Sequence, residues 1–540
     1  MTRSSSRRPA VLAIAALAAF LIPSAPADAQ YFGQNKVQYN DFDFKVLKTK
    51  NFDIYYYPEE EAAVEQAGRL AERWYARFSR LLNHRFGRRQ PLILYASHPH
   101  FEQTNVLQGF IGEGTGGVTE VLKRRVVMPL AGPLAETDHV LGHELVHAFQ
   151  FDMTGRGGTT SSSNIPNAVR LPLWFIEGMA EYLSVGPVDP HTAMWMRDAS
   201  RREKLPTIRQ LSDPRYFPYR YGQALWSYVA GRWGDEVVAD ALRAASRQSD
   251  AERILESVTG LDHKELSKQW HQAVRDAYRP IFENKRGAEA FGRLVISEKN
   301  AGELNVAPSI SPDGSQVVFF SEKDLFSIDL FVADVASGKV RRKLVETASD
   351  PHFDSLQFIN SAGDWDATGR RFVFGGIRKG KAVLVILDPA TGKREREIPF
   401  EDLGEITDPT FAPDGQSVAF SAVVGGLTDL FVHDLKSGAT RRLTEDAFAD
   451  LQPAWSPDGR AIAFVTDRFS SRLEGLTVGN YRLAAIDPAS GDVRALPSFE
   501  EGKNIDPEWS PDGRSLFFIS DRTGISNVYR LDVASGAHTQ

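Results

Sequence analysis

The sequence predicts a mixed α+β domain followed by an all-β propeller of about five or six blades. Three observations carry that expectation. Residues 31–290 mix strand-like and helix-like periodicities, whereas residues 300–540 are short β-rich runs separated by Gly, Pro, Asp and Ser. One Pro-Asp-Gly turn recurs at near-regular intervals through the second half. A single His-Glu-x-x-His run stands inside a helical pattern of the first half.

Composition narrows the class. The 540 residues include 63 Lys+Arg against 70 Asp+Glu, a net charge of -7, with 42% hydrophobic and 25% charged residues. These are values of an ordinary globular chain, and they exclude a disordered, collagen-like or membrane-bundle protein. The acidic balance argues against a nucleic-acid partner. There is no cysteine. Disulfides, thiolate nucleophiles, Fe–S clusters and Cys-ligated zinc are therefore excluded, and any metal must be held by His, Asp, Glu or backbone oxygen.

Residues 1–29 read as a signal peptide. Arg3, Arg7 and Arg8 precede an apolar run from Ala10 to Ile22, which is too short to span a bilayer. Pro23 and Ser24 break the run, and Ala27-Asp28-Ala29 supplies a small-x-small cleavage pattern. Ser6-Arg7-Arg8 fits a twin-arginine signal poorly, so the general secretory route is expected. No cysteine follows, which excludes a lipoprotein. Removing this segment takes away three Arg and one Asp. The expected protein is exported, to the periplasm or exterior of a bacterium, with no transmembrane helix in the mature chain.

The first domain is expected over 30–290. Phe44 to Tyr57 alternates as one or two strands, and Glu59 to Leu82 has helical spacing. Pro91 to Ala96 is a short strand. Val118 to Leu130 is another, interrupted by Lys123-Arg124-Arg125, a solvated edge. Thr137 to Phe151 reads as a helix capped by Thr137 or Asp138. From Leu171 to about Ile281 the pattern is mostly helical.

The second domain is expected over 291–540. Ser311-Pro312-Asp313-Gly314, Ala412-Pro413-Asp414-Gly415, Ser456-Pro457-Asp458-Gly459 and Ser510-Pro511-Asp512-Gly513 are copies of one turn. Trp365-Asp366-Ala367-Thr368-Gly369 is a degenerate fifth. Pro presets φ, Asp bonds back to the chain, and Gly accepts positive φ. A second turn follows each, ending at Gly338, Gly392, Gly438, Gly491 and Gly536. The Gly-to-Gly distances are 24, 23, 23, 32 and 23. The outlier carries an insertion near Ser470 to Val478. Such repeats resemble those of TolB-type WD-like propellers, which usually have six blades. The resemblance implies an envelope protein partner for this half, and it raises the expectation that the chain continues beyond Gln540.

The chemistry gathers on His143-Glu144-Leu145-Val146-His147. A spacing of four puts both imidazoles on one helix face, where they can ligate one Zn²⁺, with Glu144 beside them as general base. Val140, Leu141, Leu145, Val146, Ala148 and Phe149 make the helix buried. Two buried His and a Glu are costly without partners, and a metal resolves that cost. A third His in the HExxHxxGxxH arrangement is absent, because Gln150 and Met153 occupy those places. The other solution is a Glu on a second helix, and Leu171 to Tyr182 has that form. Glu177 and Glu181 lie four apart among Trp174, Phe175, Ile176 and Met179. Glu177 can ligate the metal, and Glu181 can hydrogen-bond a ligand imidazole. Gly178 inside this helix points to a close approach by another helix or by substrate.

These residues resemble the gluzincins, the thermolysin-like clan of zinc peptidases, and within it the bacterial peptidase MA-type family. The match is His143, Glu144, His147 and the stretch Trp174 to Tyr182. It implies a zincin-like metallopeptidase domain with one Zn²⁺ and a peptide or protein substrate. It also implies Glu177 as third ligand and Glu181 behind a ligand imidazole. Aminopeptidases of the clan carry a G-x-M-E-N edge strand, where this chain has Gly116-Gly117-Val118-Thr119-Glu120. That departure argues against an aminopeptidase. The 30-residue gap from His147 to Glu177 holds a Gly/Ser/Thr run, Gly155 to Asn164, that reads as a cleft-side loop or a tolerated insertion. His139, one turn before His143, is expected behind the ligands or at the helix end. Tyr216, Tyr219 and Tyr221 are candidates to stabilise the oxyanion, with Tyr221 the leading one. A scaffold with an inactive zincin domain is the alternative function.

Overall fold

The computed structural model describes residues 38–540 except 108–110, 156–164, 325–327, 346–354 and 357–362. The signal-peptide segment and most of the Gly155 to Asn164 run lie outside the described residues.

The N-terminal domain starts from a five-stranded sheet of order β1-β2-β3-β5-β4. Its strands are β1 (Lys45–Lys48), β2 (Phe52–Tyr56), β3 (Gln90–Tyr95), β4 (Val118–Glu120) and β5 (Arg125–Pro129). β1 and β2 form an antiparallel pair, β2-β3 and β3-β5 are parallel, and β4 closes one edge antiparallel to β5. The run from Val118 to Leu130 is therefore two strands rather than one, with Arg124 taking φ 53° in the turn between them. Lys123 is exposed, but Arg124 pairs with Asp152 and Arg125 with Glu120. The basic triplet is thus largely tied down, not a free solvated edge.

Helices cover one face of the sheet. α1 (Glu61–Leu81) buries Val64, Ala67, Leu70, Ala71, Trp74 and Phe78, a stripe at spacings of three and four. The short α2 (His98–Glu102) follows β3. α3 (Leu134–Thr154) carries the HExxH run. It starts three residues earlier than Thr137, because Pro133 is its N-cap residue. Thr137 instead accepts a hydrogen bond from the Ala131 N–H, and Asp138 accepts from the Trp74 indole. The remaining helices are α4 (Leu173–Val185), α5 (Pro190–Arg201), α6 (Pro218–Trp233), α7 (Glu236–Ala245), α8 (Ala251–Thr259) and α9 (His263–Asn284). One continuous apolar core joins β2, β3, β5, α1, α3, α4, α6, α7 and α8.

The C-terminal domain is a five-bladed β-propeller. Blade 1 is β6 (Asn305–Ile310), β7 (Gln316–Ser321), β8 (Asp329–Asp334) and β9 (Val340–Val345). Blade 2 is β10 (Ser355–Leu356) and β11 (Asp364–Trp365), both paired with β12 (Phe372–Arg378), then β13 (Lys381–Asp388) and β14 (Lys393–Pro399). Blade 3 is β15 (Glu405–Phe411), β16 (Ser417–Val424), β17 (Leu427–Asp434) and β18 (Thr440–Arg442). Blade 4 is β19 (Asp450–Trp455), β20 (Ile462–Thr466), β21 (Arg482–Ile486) and β22 (Val493–Ala495). Blade 5 is β23 (Asn504–Trp509), β24 (Ser515–Ser520), β25 (Asn527–Asp532) and β26 (His538–Thr539).

The repeated turns link the first strand of a blade to the second. In the first copy the Ser311 hydroxyl donates to Asp313 at 2.7 Å, and Gly314, at φ 70°, donates to the Ser311 carbonyl at 2.8 Å. The degenerate copy keeps the geometry with the roles exchanged. Asp366 stands where the Ser was and accepts from Thr368 at 2.9 Å, while Gly369 donates to the Asp366 carbonyl. This exchange is why the copy is recognisable in shape yet weak as a motif.

The opposite face of the propeller, made of the β16-β17, β20-β21 and β24-β25 connections and the segments leading into the first strands, meets the N-terminal domain. The Ser470 to Val478 insertion is the β20-β21 connection. Its Leu473 carbonyl accepts from Gln66 at 3.1 Å and its Leu476 carbonyl from Arg73 at 2.6 Å, both on α1. Leu473, Leu476 and Val478 pack against the N-terminal core, and Leu427 of blade 3 is part of it.

Candidate metal centre

α3 and α4 cross so that three donor atoms converge. His143 Nε2 lies 3.0 Å and His147 Nε2 3.1 Å from Glu177 Oε2, and the two Nε2 atoms are 3.1 Å apart. Both imidazoles are 7% exposed. Ligands about 2.1 Å from one tetrahedral ion would sit about 3.4 Å apart, so the three atoms already stand near a zinc-sized spacing.

The other ring nitrogens decide what those three atoms are. His147 Nδ1 donates to Gln150 Oε1 at 2.9 Å, and Gln150 is itself oriented by donating Nε2 to the Ile176 carbonyl at 3.0 Å. His143 Nδ1 faces Glu181 Oε1 at 3.0 Å, and a carboxylate there favours the Nδ1–H tautomer. Both Nε2 lone pairs then point at each other and at a carboxylate oxygen. Protons on the imidazoles or a divalent cation between the three atoms relieves that arrangement, and two neutral imidazoles with one carboxylate are a donor set that zinc takes. Burial alone would push the His143 imidazole down, but Glu177 and Glu181 outweigh it and hold it up at about 10. His147 is likewise lowered by burial and raised overall by Glu177. Burial raises both carboxylates, yet the imidazoles hold Glu177 and Glu181 far below the usual carboxylate range.

Glu181 is anchored from behind. Its Oε2 accepts from Arg220 Nη1 at 2.9 Å, and Arg220 also reaches Asp189 at 3.4 Å. Asp189 caps α5 by accepting from the Thr192 N–H. His139 Nε2 stands 3.4 Å from Glu181 Oε1. His139, His143 and Glu181 also converge, but through His143 Nδ1, and one neutral ring cannot offer lone pairs at both nitrogens. His139 therefore sits behind the three-donor cluster.

Glu144 is positioned by the edge strand. The Thr119 hydroxyl on β4 lies 2.7 Å from Glu144 Oε2 and 2.8 Å from the Glu144 carbonyl. A side chain at Gly117 would meet Glu144 Cγ at 2.9 Å, so the glycine lets β4 approach the carboxylate. Both Thr119 and Glu144 are buried.

Of the three tyrosines it is Tyr219 that lies against His143, whereas Tyr221, the leading candidate, packs among Tyr216 and Trp195. The Tyr219 ring stacks on His143 with centroids 5.8 Å apart and planes 21° apart. Burial, then the Glu177, Glu144 and Glu181 carboxylates, hold its hydroxyl well above the usual tyrosine range, so it remains a donor. Tyr221 is 7% exposed and packs against Tyr216 at 5.4 Å and Trp195 at 6.2 Å. Two residues on a helix are about 200° apart around the axis, so Tyr219 and Tyr221 cannot share one face. The phase of α6 brings Tyr219, and not Tyr221, beside His143.

Sequence reasoning missed Gln150, Thr119 and Arg220. Gln150 was detectable, being one turn from His147 on the same helix. Nothing local marks Thr119 or Arg220, which reach the site only through tertiary packing.

Residues 354–472 match the family described as the TolB beta propeller domain. Dipeptidyl-peptidase 5 of Porphyromonas gingivalis is 26% identical over 246 residues, covering 42% of this chain and 32% of that protein. An uncharacterized peptidase of Bacillus subtilis, YuxL, is 29% identical over 160 residues, covering 24% of this chain and 23% of that protein. The chain thus spans a third or less of either relative. The crystal structure of TolB from Acinetobacter baumannii aligns with a TM-score of 0.35 at 20% identity, covering 45% of this chain and 55% of that one. The family match over residues 354–472, together with the blades described above, makes the C-terminal part of the chain a TolB-like β-propeller domain.

Proposed function

We propose that the N-terminal domain is a zincin-like metallopeptidase that hydrolyses peptide bonds in peptide or protein substrates. The observation that carries this reading is the convergence of His143, His147 and Glu177 with Glu144 beside them. The peptidase names of two relatives agree with a hydrolase. His143, His147 and Glu177 would hold one Zn²⁺, with Glu181 orienting His143. When bound, zinc supplies Lewis-acid polarisation of the scissile carbonyl and makes water a stronger nucleophile at neutral pH. Glu144 takes the proton of the attacking water and delivers it to the departing amine nitrogen. Thr119 holds that carboxylate in place. The Tyr219 hydroxyl donates to the oxygen on which negative charge develops.

The reading includes export, on the strength of the basic, apolar and small-x-small pattern of residues 1–29. Among the described residues no helix is long and apolar enough to cross a membrane. The propeller is read as the part that meets substrate or an envelope protein partner. Metal analysis and peptide hydrolysis of the mature protein, with Glu144→Gln as the blank, test the proposal. Stoichiometric zinc and Glu144-dependent cleavage are expected. Protein with neither would overturn it in favour of an interaction scaffold.

A further inference from the structure

We propose that the propeller bridges both lips of the cleft, so that only extended, non-globular chain segments reach the metal centre. In naming a peptide as what enters, this rests on the peptidase reading above. The bridge itself is a matter of contacts.

The first lip is the edge strand and what supports it. Gly404, just before β15, packs on Ser97, and Glu405 Oε1 accepts from the His98 N–H at 3.1 Å. His98 Nε2 in turn lies 3.2 Å from the Thr115 carbonyl. Thr115 is two residues before Gly117, which rests against Glu144. Blade 3 is thus linked through His98 to the segment that backs the general base. Above the start of α3, Thr428 and Gly426 of the β16-β17 hairpin pack on Gly132 and Leu130.

The second lip is α5. Arg197 Nη1 donates to the Gly524 carbonyl in the β24-β25 hairpin of blade 5 at 3.1 Å. α5 begins at the Asp189 cap that Arg220 touches, so blade 5 lands on the helix bordering the Glu181 side of the site. Between the lips, Glu136 on α3 and His191 on α5 both feel the charge of Lys503, which precedes β23. With blade 3 on the edge-strand side and blade 5 on α5, the space over the site is walled on both sides. The insertion of blade 4 fixes the assembly from behind, because Arg73 joins its Leu476 carbonyl to Asp138, adjacent to His139 on α3.

A flexible peptide is thin enough to enter such a crevice. A globular protein of about 230 residues has a radius of gyration of about 17 Å and would collide with the propeller. Because the chain has no cysteine, single introduced thiols report access without background. Phe217→Cys places one beside Tyr219, where the native ring is 5.1 Å from Tyr219 and 42% exposed. Val188→Cys, at a position 83% exposed, is the open control.

A small maleimide is expected to label both. A maleimide carried on a folded protein of about 230 residues should label Phe217→Cys at least about tenfold more slowly, relative to Val188→Cys. Adding Arg197→Ala, or replacing residues 473–478 by a short Gly-Ser linker, should narrow that gap. Equal labelling of the two positions by the bulky reagent would overturn the proposal. Cleavage of one protein in its unfolded and folded forms gives the second readout, with Glu144→Gln as blank. Cutting of only the unfolded form supports the proposal, and equal cutting of both overturns it. If nothing is cut, the peptidase reading fails while the labelling result still decides the bridge.

Discussion

Gly178 and Gly222 touch backbone to backbone. A side chain at Gly222 would meet Gly178 Cα at 2.7 Å, and one at Gly178 would overlap the Gly222 main chain. This contact sets how closely α6 crosses α4, and so how Tyr219 and Arg220, on the turn before Gly222, reach a site built on α3 and α4. Both glycines lie mid-helix, where glycine costs about 1 kcal/mol relative to alanine. The close approach offsets that cost. Gly178→Ala and Gly222→Ala should each destabilise the protein by about 1–3 kcal/mol or more, because backbone cannot yield as a side chain does. Thermal unfolding checks the stability. A zinc titration of the folded variants should show weakened binding, since Arg220 moves with α6.

The chain Asp189–Arg220–Glu181–His143 predicts a defect in metal binding at residues that touch no metal. Arg220→Ala leaves Glu181 Oε2 without its cation in a buried setting, and Glu181→Gln removes the carboxylate that favours the Nδ1–H tautomer of His143. Each should weaken zinc by about 10–100-fold, as is usual for groups that orient a ligand. Competition against a chromogenic chelator measures it. Chelation of the wild type should lower the unfolding temperature reversibly, since zinc at about 100 times its Kd adds about 2.7 kcal/mol. The two variants should show smaller stabilisation at the same free zinc.

What could be read from the sequence follows the range of the physics involved. The blades were legible because each turn is local chemistry within four residues, repeated. His143 with His147 and Glu177 with Glu181 were legible as pairs because a helix turns i and i+4 to one side, and Glu144 came with the HExxH run. Tyr219 was not separated from Tyr221, because the choice depends on the rotation of α6 about its axis. That rotation is set by the Gly178–Gly222 contact some 40 residues apart in sequence. The insertion near Ser470 to Val478 was visible as a length anomaly. Its role in gripping α1 was not, because its partners Gln66 and Arg73 are about 400 residues away.

That same rotation separates the two tyrosines in an assay. If Tyr219 donates to the developing oxyanion, Tyr219→Phe should lower kcat by about 10²-fold with little change in KM. Tyr221→Phe, among Tyr216 and Trp195, should leave kcat unchanged. Steady-state kinetics on one peptide decides it, with zinc content measured in both variants so that metal loss is not mistaken for lost catalysis. Equal effects from both substitutions would remove Tyr219 from the mechanism.

Glu60 supplies a pH dependence away from the metal. It is fully buried, and its Oε2 accepts from the Tyr57 N–H at 2.9 Å while Oε1 has no hydrogen-bond partner among the described residues. Burial, partly opposed by that hydrogen bond, pushes its carboxyl from an ordinary 4.5 up to about 8. The folded protein therefore binds the proton more tightly than the unfolded chain between those values. Stability falls with rising pH wherever the folded state holds more protons, so this contribution is full below about pH 4.5 and is lost as pH rises toward about 8. Its size is on the order of a few kcal/mol. Gln at this position keeps an oxygen for the Tyr57 N–H and has no proton to lose. Glu60→Gln should therefore be relatively more stable than wild type at pH 8 than at pH 5. Urea unfolding at the two pH values measures the difference, and parallel curves for the two proteins would show that Glu60 does not hold its proton in the folded state.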